Sequence, residues 1–148
     1  MGSGTRANRA MEQTQLMEKI KAVFKHDRFA ERAGIELVSM AEGRAVVQMR
    51  VTPEHWNGLG SAHGGAIFTL ADFAFAVASN SYGTVAVAVN VSITYQKAVA
   101  AGVLRAEARE ISKNHKLGTY TVEITDEQGE IVALFQGLAY RKNEKLPV

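Results

Sequence analysis

Four segments with strict period-two alternation follow one another between Val85 and Arg141, and the links between them are short. They run Val85 to Tyr95, Gly102 to Ser112, Leu117 to Asp126 and Ile131 to Arg141, and are rich in β-branched residues, as half-buried strands require. The links are Gln96 to Ala101, Lys113 to Lys116, and a turn at Glu127-Gln128-Gly129. A parallel crossover needs about a dozen residues or more, so each strand is expected to lie antiparallel beside the next. Two further strands, Ile35 to Met40 and Arg44 to Val51, flank Ala41-Glu42-Gly43 and predict a hairpin, with Ala45, Val47, Met49 and Val51 on one face.

Between the second and third strands the pattern changes. After a polar, glycine-containing loop from Thr52 to Ala62, the run Gly64 to Ser81 is apolar and alanine-rich, and Ile67, Leu70, Ala71, Ala74, Phe75 and Ala78 share one helical face. The fold class is therefore α+β: a six-stranded antiparallel sheet with one long helix against it. Ala66, Ala74, Ala76, Val77 and Ala78 make this helix apolar on more than the face one sheet can cover, which predicts a homodimer burying two such helices together, with further assembly to a homotetramer. An extra N-terminal helix is expected from Gln13 to Lys25, where Leu16, Ile20, Val23 and Phe24 recur at helical spacing, followed by a turn at His26 and Asp27. Residues 1–12 read as a flexible tail or non-native extension, leaving 13–148 as a single domain.

The length of 148 residues suits one core, and 47% apolar with 22% charged residues is a globular balance. The absence of cysteine excludes a disulfide framework, a thiolate metal site and a cysteine nucleophile. No apolar stretch reaches the roughly 20 residues of a membrane span and no signal-like start is present, so a cytoplasmic protein is expected. A net charge of +2 without a dense basic stripe points away from nucleic acid. Arg109, Lys113, Lys116 and Arg141 could still draw a small anionic group such as a phosphate, or simply solvate a surface.

The chemistry concentrates between Asn57 and Ser81. His63-Gly64-Gly65 opens the long helix, whose first backbone N–H groups lack intrahelical partners and whose dipole favours negative charge. Gly64 and Gly65 carry no side chain, so a substrate carbonyl could reach those N–H groups as it would an oxyanion hole. Asp72 is the only acidic residue between Glu54 and Glu107 and lies inside the apolar helix, where burial should raise its pKa and suit it to act as general base or nucleophile. Asn57 can position a water through both its amide donor and its carbonyl acceptor. Eight positions separate Gly64 from Asp72 (72 minus 64), about 12 Å along a helix, so one carbonyl cannot touch both within one chain. Two antiparallel helices would bring Gly64 of one chain to Asp72 of the other.

The pattern Asn57, His63-Gly64-Gly65, Leu70-Ala71-Asp72 and Asn80-Ser81 resembles the phenylacetate-pathway (PaaI-type) acyl-CoA thioesterases of the hotdog superfamily, over about Phe29 to Arg141. The resemblance implies a hotdog fold and hydrolysis of an aromatic or short-to-medium acyl-CoA to free acid and CoA, with no metal or redox cofactor. It also implies that Gly64 polarises the thioester carbonyl and that Asp72 attacks it or activates water, with Asn57 and His63 orienting the reacting groups. Gly65, Ser81 and Asn90 are implied near the substrate, and Lys113, Lys116 and Arg141 near the CoA phosphates.

Blander readings stand beside these. Asp72 could be paired by Thr69, Ser79 or a distant Arg; His63 could only cap its helix; Asn57 could close an Asx-turn; and Gly64 and Gly65 could serve packing alone. His26, His55 and His115 read as surface residues. A hydratase or dehydratase on the same fold would need a histidine paired with a carboxylate, and a non-catalytic acyl-CoA sensor would need an output module.

Overall fold

Strands β1 (Ile35–Ala41) and β2 (Arg44–Val51) form the expected hairpin, turned by Gly43 at φ 71°, a left-handed conformation that glycine adopts without steric cost. The computed structural model describes residues 4–147. It continues from this hairpin through a single 3-10 turn (Pro53–His55) into a long helix and four more strands. These are β3 (Thr84–Tyr95), β4 (Gly102–Lys113), β5 (Leu117–Thr125) and β6 (Ile131–Lys145), and all neighbouring pairs are antiparallel.

The strand order is β1-β2-β4-β5-β6-β3. β4, β5 and β6 follow one another as expected, but β3 pairs with β6 and not with β4, which corrects the expectation that every short link joins neighbours. The link from Gln96 to Ala101 has six residues, a reach of about 20 Å when extended, whereas three strand spacings are only about 14 Å. It can therefore cross the end of the sheet. The backbone N–H groups of Gln96 and Lys97 donate to the Val132 carbonyl, Ala62 N–H donates to Val99 O at 2.7 Å, and Trp56 Nε1 donates to Ala100 O at 2.9 Å. These bonds hold the crossing strap against the loop that leads into the helix.

That helix, α3 (Gly64–Ser79), mixes alanines and Leu70 with glycine, aromatic and β-branched residues, so its stability rests on burial more than on propensity; its N-cap is His63, whose Nδ1 accepts the Gly65 N–H at 2.8 Å. The sheet curls around it, and Ile67, Leu70, Ala71, Phe73, Ala74, Phe75, Val77 and Ala78 are buried there. Phe75 sits edge-on to Tyr120 and tilted against Phe135, with ring centroids 5.5 and 5.7 Å away. Its ring fits only because Gly137 of β6 has no side chain, since a Cβ there would stand 2.8 Å from it. Truncating a ring buried in this way costs about 3–5 kcal/mol. The helix ends at Asn80, whose side chain donates to the Ala76 and Ala86 carbonyls and accepts the Ala86 N–H, tying the last turn to the start of β3.

The N-terminal helix is longer than its apolar pattern. α1 spans Arg6–Phe24 with Thr5 as N-cap, so residues 6–12, expected as tail, are helical, although exposed throughout. Its core contact comes from the predicted stripe: Ile20 is fully buried and Phe24 meets Phe73 edge-on at 6.0 Å. A second helix, α2 (Arg28–Arg32), which the sequence pattern did not predict, follows the expected turn at His26 and Asp27, with the Asp27 side chain accepting the Ala30 N–H at 3.0 Å. Five residues are too few to show a period, and its sequence signal was the capping aspartate alone.

Candidate active site

The start of α3, the loop before it and the strap after β3 enclose an open cleft of about 380 Å³ lined by Asn57, Ser61, Gly64, Ile67, Tyr95 and Lys97 among others. His63 O accepts from the Ala66 and Ile67 N–H groups at 2.9 and 3.2 Å, which turns the N–H of the same peptide, that of Gly64, out of the helix end. Among the described residues the Gly64 N–H has no hydrogen-bond partner. One free backbone donor at the positive end of a 16-residue helix beside a cleft is a place where an oxyanion would be stabilised.

His63 is exposed and uses Nδ1 to accept from Gly65, so its proton sits on Nε2, available as a donor. It caps the helix, as its blander reading has it.

Asn57 is spent largely on its own loop. Its Oδ1 accepts from Leu59 N–H at 2.9 Å and Ser61 N–H at 3.3 Å, while Nδ2 donates to Ser61 Oγ at 3.3 Å. This is the Asx-turn reading realised, with one Nδ2 hydrogen left over beside the cleft.

Asp72 lies two turns along α3, half-buried on the face that the sheet does not cover, together with Thr69 and Ala76. Neither Thr69 nor Ser79 pairs with it: their hydroxyls donate to Gly65 O and Ala76 O. Burial, and secondarily the like charge of Asp27, push its carboxyl above the ordinary aspartate range. Its neighbour Phe73 lines a second cleft of about 570 Å³ with Phe24, Asp27, Ile35 and Leu37.

Two expected helpers sit elsewhere. Ser81 is fully buried, donating to Ala78 O and accepting from Gly43 N–H, both at 2.7 Å, so it bolts the β1–β2 turn to the end of α3 and has no hydrogen left for a ligand. Asn90 is exposed on β3 beside a bulge, away from the Gly64 cleft. Lys113, Lys116 and Arg141 do come together, at the other end of the helix. Lys113 Nζ sits 3.7 Å over the Tyr82 ring, Arg141 donates from Nη1 to Asn114 O at 2.7 Å, and Arg141 N–H donates to Lys116 O. Tyr82 and Tyr120 both donate to the Glu110 carboxylate; burial and that bond push Tyr82 up to about 12. A 16-residue helix is about 24 Å long, so this basic cluster is remote from Gly64 of its own chain.

Two features escaped the sequence pattern. Tyr95 lines the cleft and its hydroxyl donates to Gly64 O at 2.8 Å, a contact between residues 31 positions apart that no local motif announces. His55, read as a surface residue, is half-buried: its Nδ1 accepts the Thr52 N–H and its Nε2 donates to Ala33 O.

Comparison with known proteins agrees with this geometry. The thioesterase superfamily matches residues 59–133. The chain is 43% identical to the acyl-coenzyme A thioesterase PaaI of Escherichia coli, over 81% of this chain and 86% of that one. It is 33% identical to human acyl-coenzyme A thioesterase 13, over 80% and 88%. The solved structure of the E. coli PaaI protein from the phenylacetic acid degradation operon superposes with a TM-score of 0.85 at 39% identity, over 90% of this chain and 97% of that one. With the antiparallel sheet curled around α3 and the His63-Gly64-Gly65 opening on the page, the chain belongs to the thioesterase superfamily, as a PaaI-type thioester hydrolase of hotdog fold.

Proposed function

We propose that the protein is a cytoplasmic acyl-CoA thioesterase acting as a homodimer, with each active site divided between two chains. The observation that carries this reading is the separation of a free oxyanion donor, Gly64 N–H, from an unpaired carboxylate, Asp72, by about 12 Å on one helix. Two antiparallel copies of α3 packed on their uncovered faces would close that gap. The outer edge of β3 supports the same assembly: β3 pairs only with β6, and Val87 and Val89 lie 43% and 56% exposed along it. Pairing of two dimers would extend this to a homotetramer.

In this reading the thioester carbonyl oxygen accepts the Gly64 N–H, and Asp72 of the other chain removes a proton from water as the water oxygen bonds to the carbonyl carbon. The tetrahedral oxyanion then collapses, the C–S bond breaks, and the CoA thiolate leaves and takes up the proton; attack by Asp72 itself is the variant of the same step. In this reading no step changes an oxidation state, so no redox cofactor enters, and the Gly64 N–H takes the place a metal could occupy in stabilising the carbonyl charge. The Phe24 and Phe73 cleft suits an aromatic or short-to-medium acyl group. Antiparallel helices would also set the C-terminal end of α3 of one chain about 10 Å along the axis from Gly64 of the other (seven residues, 79 minus 72), placing Lys113, Lys116 and Arg141 beyond it toward the CoA phosphates. Val91 and Asn90 lie on the strand that would pair, which is the one route by which Asn90 could meet substrate.

A thiol-release assay over a panel of acyl-CoAs tests the reaction, and Asp72→Asn should lower kcat by about 10² or more while preserving the dimer, the scale for loss of a general base. An unchanged rate would remove Asp72 from the mechanism.

A further inference from the structure

Two peptide planes meet at Gly64, and both are pinned. The His63–Gly64 plane is held by the Ala66 and Ile67 N–H groups on His63 O. The Gly64–Gly65 plane is held from both sides: its N–H donates to His63 Nδ1 at 2.8 Å, and its carbonyl accepts the Tyr95 hydroxyl at 2.8 Å. A glycine between two planes has soft dihedrals, so without such clamps the direction of its N–H would wander. The close approach is specific to glycine here, because a Cβ on Gly64 would stand 3.1 Å from both Cζ and Oη of Tyr95.

We propose that Tyr95 is a positioning residue for thioester hydrolysis, its hydroxyl fixing the Gly64–Gly65 peptide so that the Gly64 N–H stays aimed into the cleft and His63 stays in its Nε2–H form. The hydrogen-bonded chain runs from the Tyr95 O–H to the Gly64 carbonyl, through the amide to the Gly65 N–H, and on to His63 Nδ1. Each bond polarises the next, so the tyrosine strengthens the acceptance at Nδ1 that sets the histidine tautomer. Burial raises the Tyr95 pKa, which keeps the hydroxyl protonated and donating throughout the working pH range. Tyr95 lines the same cleft as Gly64, 49% exposed, so the clamp is built into the wall of the site while its ring remains open on one side. This inference rests on the thioesterase reading for its catalytic part.

The test is Tyr95→Phe in the full chain, which keeps the ring against Gly64 and removes only the hydroxyl. The expected result is a kcat about 10-fold lower with KM within about 2-fold, one order short of losing an oxyanion donor outright. In ¹⁵N-labelled protein without substrate, the Gly65 amide resonance should move upfield and the His63 ring nitrogens should lose their fixed-tautomer pattern. Unchanged kcat, a rise confined to KM, or Gly65 and His63 resonances that stay in place would each overturn the proposal. Wild type that releases no thiol from any acyl-CoA would overturn the hydrolytic reading and the catalytic role with it, whereas the resonances read the clamp with no substrate present and so tell the two failures apart.

Discussion

The Asp72 carboxylate lies within electrostatic reach of the Asp27 carboxylate, which caps α2, so that two like charges face the junction of α3 with the N-terminal helices. Burial is the larger cause of the raised Asp72 pKa and Asp27 the smaller. An acid whose folded pKa lies above its unfolded value of about 3.9 binds more protons in the native state. Stability therefore falls as pH rises through the window between those two values, and the cost of the ionised carboxylate is fully present above the folded pKa.

Asp72→Asn should accordingly raise the thermal midpoint at pH 7, with the gain shrinking to nothing as pH falls below the unfolded aspartate pKa. Differential scanning calorimetry of both proteins from about pH 3 to pH 7 checks this. A variant less stable than wild type at neutral pH would mean that the carboxylate has a stabilising partner.

Asp27→Asn separates the two causes. Asparagine still caps α2, so the fold is retained, while the like charge is removed. The acidic limb of the pH–rate profile should move to lower pH, yet not as far as an unperturbed aspartate, because the burial of Asp72 remains. No movement of that limb would show that Asp72 does not set it.

Ser81→Ala should leave kcat and KM unchanged and lower stability by about 1–3 kcal/mol, because the Gly43 N–H is left buried without its acceptor. Chemical denaturation gives the stability and thiol release the rate. A large loss of kcat with little loss of stability would return Ser81 to the substrate.

Val89→Lys places a charge on the open edge of β3, where a folded single chain tolerates it. If the edges of two β3 strands pair in the dimer, the variant should sediment as a monomer with intact circular dichroism and at least about 10²-fold lower activity, since each half-site lacks its catalytic complement. An active dimer would exclude this edge as the interface.

Chain periodicity alone determined the six strands, the long helix α3 and the antiparallel α+β class, because alternation and 3.6-residue spacing are local signals of burial, whereas the hotdog expectation came from the family resemblance. His63-Gly64-Gly65 and the lone acid Asp72 stood out as candidates for a similar reason, since a glycine pair at a helix start and a carboxylate among alanines are visible in their immediate neighbours. What only the tertiary structure decided depends on residues distant along the chain. β3 lies beside β6 because its strap can span the sheet, and the choice of that partner rests on the β3–β6 ladder and on the bonds from Val99 and Ala100 to the loop before α3. Asn80 and Ser81 were part of the pattern on which the family resemblance rested, and their side chains are consumed in fastening the end of α3 to β3 and to the β1–β2 turn, in the case of Ser81 and Gly43 across 38 positions. The Tyr95 clamp on Gly64 is of the same kind: a tyrosine ending a strand has no local mark of function, and only the curl of the sheet carries its hydroxyl to the helix start.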